Sequence, residues 1–311
     1  MCLLSLAWGA DAQYPLVLAA NRDEFYERPT APLHLWRTDA GHSIVSGRDL
    51  RDGGTWIGFS PTGRFACLTN VRQPEQTPPP IALATPIQNA PKLRSRGALP
   101  VDWLGSPLAP LDWVHGLDPL AYAGFNLLIG DWHTRQCLYI SNRSKNTLEN
   151  ATGYAQAAMY SIANGEPKHA EFQALVTQSV PWGGTVGLSN AALDTPWPKT
   201  QRLKLVMATS LQGQPSVQTL TDTLQHALHD TTRAPLSLLP NTGIAHEREL
   251  ALSSIFVHYP NEQPVYGTRT SLVAVLDDKN ILQLQETSYV TQNRTSPQSN
   301  ELAHVYYSLA W

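Results

Sequence analysis

Cys2 is the residue whose type and position could do the most chemistry in this chain. A residue with so small a side chain is a good substrate for removal of the methionine before it. With Met1 gone, Cys2 carries both a thiol and a free α-amine. An α-amine titrates at about 7.7–8.0, so at neutral pH it can take the thiol proton and make one residue both nucleophile and base. The polar run Asn21-Arg22-Asp23-Glu24 follows directly on the apolar segment Leu16–Ala20. Within it an aspartate can orient an amine, an arginine can bind a carboxylate or stiffen a network, and an asparagine can donate to an oxyanion. Asn70, after Cys67-Leu68-Thr69, and Asn190, after Gly187-Leu188-Ser189, each end an apolar strand pattern. Amides there serve as oxyanion donors and equally as turn formers. Arg269 lies inside the strand pattern Tyr266–Ser271, where a charge must be paired or functional. The plainer readings are a small buried hydrophobe for Cys2 and a solvated strand end for the polar run.

These residues need strand ends to hold them. Leu3–Trp8 and Tyr14–Ala20 read as a hairpin around a turn-rich break. Pairing Trp8 with Tyr14 predicts that Cys2 lies opposite Ala20, beside the polar run. A second hairpin is expected from Gly54–Phe59 and Arg64–Val71, around Ser60-Pro61-Thr62-Gly63. A third follows from Phe125–Gly130 and Cys137–Ser141, and Thr185–Asn190 is a further strand candidate. The patterns predict helices over Ser95–Leu104, Lys199–Leu211 and Ser216–His229, the last with Val217, Leu220, Leu224 and Leu228 on one face. Strands return at Ser253–His258, Val265–Leu276, Ile281–Val290 and His304–Ala310. Six prolines between about 74 and 91 predict a surface loop, and 291–301 a polar connector. No internal repeat is present. Strands at both ends with helices between, and no βαβ rhythm, predict an α+β fold of mainly antiparallel sheets, expected as one domain over 1–311.

Composition narrows the function. Of 311 residues, 42% are hydrophobic and 15% charged, enough to bury a sizeable core. With 22 basic against 25 acidic residues there is no electrostatic footprint for nucleic acid. No apolar run reaches the roughly 18–20 residues of a membrane span, and the start lacks a basic leader, so a cytoplasmic address is expected. Three widely spaced cysteines support neither a disulfide framework nor a thiolate zinc site. Asp52-Gly53-Gly54-Thr55 lacks the spacing of a phosphate loop, and no paired-histidine motif suggests a catalytic metal. Glu247 and Glu249, beside His246, read as a solvated short helix. The nine tryptophans are expected in the core more often than in a ligand cleft.

Several segments together resemble the NRDE family, to which the transport and Golgi organization protein 2 homologues belong. They are Met1-Cys2, Asn21-Arg22-Asp23-Glu24, Gly53-Gly54-Thr55-Trp56-Ile57-Gly58, Thr69-Asn70-Val71-Arg72 and Ser95-Arg96-Gly97. Gly124-Phe125-Asn126-Leu127-Leu128, Gly187-Leu188-Ser189-Asn190, Asp194-Thr195-Pro196-Trp197-Pro198-Lys199 and Tyr266-Gly267-Thr268-Arg269 complete the set. The resemblance implies a four-layer αββα sandwich of the N-terminal-nucleophile hydrolase kind, close to choloylglycine hydrolases and penicillin V acylases. It implies Cys2 as nucleophile, Asp23 orienting its amine, Asn70 and Asn190 as oxyanion or amine contacts, and Arg22 in support, with Arg269 a further site candidate. The expected reaction is hydrolysis of a linear amide or thioester with an apolar acyl group and no required cofactor. The family is also linked to haem trafficking and to acyl-CoA or other lipids. The alternative is therefore a carrier of haem or an acyl ligand that leaves the thiol idle, although no haem motif marks the chain.

Overall fold

Strands β1 (Cys2–Trp8) and β2 (Leu16–Phe25) bury both faces, which is why they read as near-continuous apolar runs instead of alternating ones. Their even-numbered residues face one core and their odd-numbered residues another. The computed structural model describes residues 2–71, 93–143, 175–290 and 300–311. The expected Pro-rich loop and nearly all of the polar connector lie outside these residues.

The described strands form two antiparallel sheets. In the first, β10 (Gly184–Leu188) pairs with β1, and β1 with β2. The sheet continues through β12 (Tyr266–Leu276), β13 (Ile281–Val290) and β14 (Asn300–Ala310), while the short β11 (His258–Tyr259) adds to β12. The second sheet runs in chain order: β3 (Thr30–Arg37), β4 (Ser43–Asp49), β5 (Ile57–Phe59), β6 (Arg64–Asn70), β7 (Phe125–Asp131), β8 (Gln136–Ser141) and β9 (Val176–Ser179). Strands β3 and β4 fall in a stretch where the sequence showed only its two hairpins.

Packing divides the molecule into four layers. Leu4, Leu6, Trp8, Leu18 and Leu272 of the first sheet meet Val45, Phe59, Phe65, Cys67 and Leu128 of the second, so the two sheets share a core. On the far side of the first sheet, Leu3, Val17, Ala19 and Val273 pack under Leu203 and Met207 of α3 (Pro198–Ser210) and Leu220 and Leu224 of α4 (Val217–Leu228). Ser216 caps α4, its hydroxyl accepting from the Thr219 amide at 3.1 Å. On the far side of the second sheet, Leu127, Ile129 and Ile140 pack under Leu99 and Trp103 of α1 (Ala98–Leu104) and Trp113 of α2 (Pro110–His115). This is the αββα sandwich that the resemblance implied.

Three expectations change. Trp8 pairs with Leu16, and Cys2 therefore with Arg22, not Ala20. The reason is a longer turn. The Asp11 carboxylate accepts from the Gln13 and Tyr14 amides, the Gly9 amide donates to Pro15 at 2.7 Å, and Tyr14 leaves the ladder to donate to Pro215. The slip is two residues, so every side chain keeps its face. The run expected as a strand over Ser253–His258 is a series of bends up to β11. The Ser253 hydroxyl donates to Leu250 and the Ser254 hydroxyl to Phe256, local bonds that compete with a ladder. The short helix α5 (His246–Ala251) exists, but Glu249 is buried and accepts from the Thr242 amide and hydroxyl.

Candidate functional site

Cys2 opens β1 at the end of the first sheet, half-buried, whereas Cys67 and Cys137 are buried. Its cross-strand partner Arg22 lies on the same face, turned toward the second sheet. The Arg22 guanidinium sits 4.2 Å over the Trp56 ring and is nearly buried, with Glu24 at 3.9 Å and Asp49 at 3.8 Å. Burial is the largest influence on the Cys2 thiol and raises its pKa. The positive chain terminus and Arg22 pull the other way, and Asp23 and Glu24 push it up again. At neutral pH Cys2 is therefore a thiol that needs a base.

Asp23 turns to the other face of β2, as strand alternation requires. The Thr268 hydroxyl donates to its Oδ1 at 2.8 Å, and the Tyr266 hydroxyl donates to its carbonyl at 2.8 Å. Thr268 accepts in turn from the Val257 amide, which fixes the group from behind.

The two asparagines come from different sheets and meet. Asn190 lies just past β10, and its side-chain nitrogen donates to the Asn70 carbonyl at the end of β6, at 2.7 Å. The neighbouring Ser189 hydroxyl donates to the Cys2 carbonyl at 3.1 Å. Behind them the Thr69 hydroxyl donates to Ser189, and buried Asn126 donates to Thr69 and Ala191 while accepting from Tyr139. The loop after β10 is thereby clamped between the sheets, beside Cys2. The Asn70 amide itself takes no hydrogen-bond partner among the described residues.

Two residues stand apart from the expected chemistry. Asn21 donates to the Leu228 and Ile255 carbonyls and accepts from Ser271, so its amide is committed to the helix layer and is not an oxyanion donor. Arg269 sits in a β-bulge between Thr268 and Thr270. Its Nη1 donates to the carbonyls of Phe25, Tyr26 and Arg28 at 2.8–3.0 Å, which makes it a clasp on the chain leaving β2.

One arginine was not singled out as a site residue. Arg96 is half-buried, and electrostatic interactions couple it to Cys2, Glu24 and Arg28. Its only sequence signal was the short Ser95-Arg96-Gly97 match. Among the described residues no group of three His, Cys, Asp or Glu side chains is placed to hold a metal ion, and no helix is long and apolar enough to cross a membrane.

The sequence profile of the family described as Transport and Golgi organisation 2 matches residues 1–291. The chain belongs to that family. A transport and Golgi organization 2 homolog from Mus musculus is 28% identical over 298 residues, covering 92% of this chain and 91% of that protein. The Homo sapiens homolog is 28% identical over 305 residues, covering 94% and 90%. Among solved structures, a mutant conjugated bile acid hydrolase from Clostridium perfringens aligns with 99% of this chain and 96% of its own, at 8% identity and a TM-score of 0.45. For this member of the Transport and Golgi organisation 2 family, the match takes in every residue of the Cys2 constellation, from Cys2 to Arg269.

Proposed function

We propose that this family member is a cysteine hydrolase of the N-terminal-nucleophile type, acting on linear amides or thioesters with an apolar acyl group. The observation that carries the reading is the pinning of Cys2. It is the half-exposed thiol of the chain, its carbonyl is held by Ser189, and Asn190 and Asn70 meet beside it.

Removal of Met1 frees the Cys2 α-amine. That amine takes the thiol proton as Sγ attacks the substrate carbonyl carbon, and it returns the proton to the leaving nitrogen or sulfur as that bond breaks. Among the described residues nothing takes up the Asn70 amide N–H groups, and Asn190 keeps one after bonding to the Asn70 carbonyl. Both are offered to the oxyanion. Asp23, held by Thr268, orients the amine, and Arg22, braced on Trp56, stiffens the end of β2. Water then attacks the thioester and frees the acid. No cofactor enters this cycle.

Intact mass of the purified protein, before and after brief alkylation at neutral pH, is the first test. The reading expects a mass short by one methionine and one fast-labelled cysteine mapping to Cys2. Turnover of N-acyl amides or acyl thioesters should stop after labelling and in Cys2→Ala, with the thermal midpoint of that variant within a few degrees of the parent. Full turnover in Cys2→Ala would overturn the mechanism. Stoichiometric haem or acyl-CoA binding that survives alkylation, without turnover, would favour the carrier instead.

A further inference from the structure

The approach of two glycines sets Arg96 beside the Cys2 site. A Cβ placed on Gly54 would lie 2.4 Å from the Gly97 carbonyl carbon, so the loop before α1 lies directly against the loop before β5. The Thr55 amide closes the crossing with a bond to the Gly97 carbonyl at 3.1 Å. Two residues along from Gly54 is Trp56, the ring under Arg22, and Arg22 is the cross-strand partner of Cys2. From the other side, Arg96 Nη1 donates to the Gly124 carbonyl at 3.1 Å, the same oxygen that accepts from the Val71 amide, one residue past Asn70. Arg96 is thus tethered between the Arg22–Cys2 pair and the Asn70–Asn190 pair.

A guanidinium has five N–H donors and stays charged in proteins. At Arg28 the charge is taken up by Asp49 at 2.5 Å and Asp52 at 2.6 Å. At Arg269 three carbonyls take it up, and at Arg22 a ring face and two acids surround it. Arg96 has the Gly124 bond alone among the described residues, and no carboxylate of those residues lies within ion-pair distance of it. A half-buried fork whose donors are mostly unfilled by the described residues suits a planar oxyanion, which it can hold bidentately.

We propose that Arg96 determines the specificity of the Cys2 site by binding an oxyanion group, a carboxylate in the simplest case, carried by the substrate close to the scissile carbonyl. This rests on the hydrolase reading for its reaction, but not for its binding. The oxyanion can sit on the leaving group, which keeps the acyl group apolar, or at the far end of a short acyl chain, which replaces the apolar acyl group of the hydrolase reading by one with an anionic end. Paired substrates separate the two. N-Octanoylglycine against N-octanoylglycinamide tests the first placement. The anilide of glutarate against that of pentanoate tests the second.

The parent protein should favour the anionic member of one pair, and Arg96→Gln should lower the anionic-to-neutral ratio of kcat/KM at least tenfold. Arg96→Lys should restore part of that ratio. Equal loss on both members, or no anionic preference in the parent protein, would overturn the proposal. A second readout needs no turnover: the rate at which neutral iodoacetamide labels Cys2, with octanoylglycine or glutarate present. Protection by the carboxylate, absent with its amide and lost in Arg96→Gln, would uphold the site even if no substrate turned over, and only the hydrolase reading would then fall. Turnover without anionic preference or protection would sink the Arg96 site and leave the hydrolase standing.

Discussion

Arg22 and Arg269 lie on adjacent strands near the same end of the first sheet, yet their surroundings give them different tasks. Arg22 follows the strand alternation and meets Trp56 and two acids in the cleft between the sheets. Arg269 is the extra residue of a bulge, and the bend turns its side chain onto the carbonyls of the chain leaving β2. Arg269→Ala would take the charged donor from three carbonyls, of which Phe25 keeps the Arg28 amide and Arg28 keeps the Thr30 hydroxyl, and charge-assisted bonds of this kind are worth about 2 kcal/mol in net stability. Denaturant unfolding should show a loss of that order, and an unchanged midpoint would contradict the clasp. The Cys2 thiol is raised chiefly by its burial. With Met1 in place its labelling should therefore be slow at neutral pH and climb into the alkaline range. Removal of Met1 should speed neutral labelling by about tenfold or more, because the α-amine then takes the proton. Labelling rates against pH, on protein of both masses, check this.

Between elements, close approaches set the site. Gly54 against Gly97 brings the α1 loop onto the second sheet, and the Asn126–Thr69–Ser189 chain brings the β10 loop onto it from the other side. Gly54→Ala would force backbone against backbone, at a cost of about 1–3 kcal/mol for overpacking. It should also shift Arg96 without replacing it. The expected result is a lower unfolding midpoint with a weakened carboxylate protection of Cys2, and unaltered protection would mean that Arg96 is not set by this crossing. The first hairpin shows how far pattern reasoning reaches at this scale. Alternation told which residues of β1 and β2 share a face, but the register depended on Asp11 and Pro15 lengthening the turn, which no periodicity encodes.

Across the whole molecule, Glu286 joins the two sheets. It sits on the inner face of β13 beside Leu282 and Leu284, 1% exposed, and accepts from the Leu33 amide of β3 at 2.7 Å. Burial raises its pKa from 4.5 to about 7, against the pull of the Leu33 bond, Arg22 and Ser288. The folded carboxyl holds its proton more tightly than the unfolded one. The stability it contributes is therefore fully present below the unfolded value of 4.5 and is lost as pH rises to about 7. At 1.36 kcal/mol per pKa unit the loss is about 3 kcal/mol. Glu286→Gln keeps an acceptor for Leu33 and should flatten the fall in unfolding free energy between pH 4.5 and about pH 7. A slope identical to that of the parent protein would remove Glu286 as its source. The alternation Leu282, Leu284, Glu286 already marked an acid on an apolar face of β13, a signal readable in the sequence. What the sequence determined was local: most of the strand runs, though not β3, β4 or β9, the capped amphipathic helix α4, the antiparallel class and the polar groups at strand ends, because each follows from propensity and periodicity within a few residues. Which of those polar groups meet was decided by tertiary structure alone. Asn21 and Asp23 share the odd face of β2, yet the first is consumed by the helix layer and the second is held by β12 near Cys2. Asn190 reaches Asn70 across 120 residues of chain. Such meetings depend on turn length, a bulge and the close approach of loops such as those of Gly54 and Gly97, and these set distances that no local pattern carries.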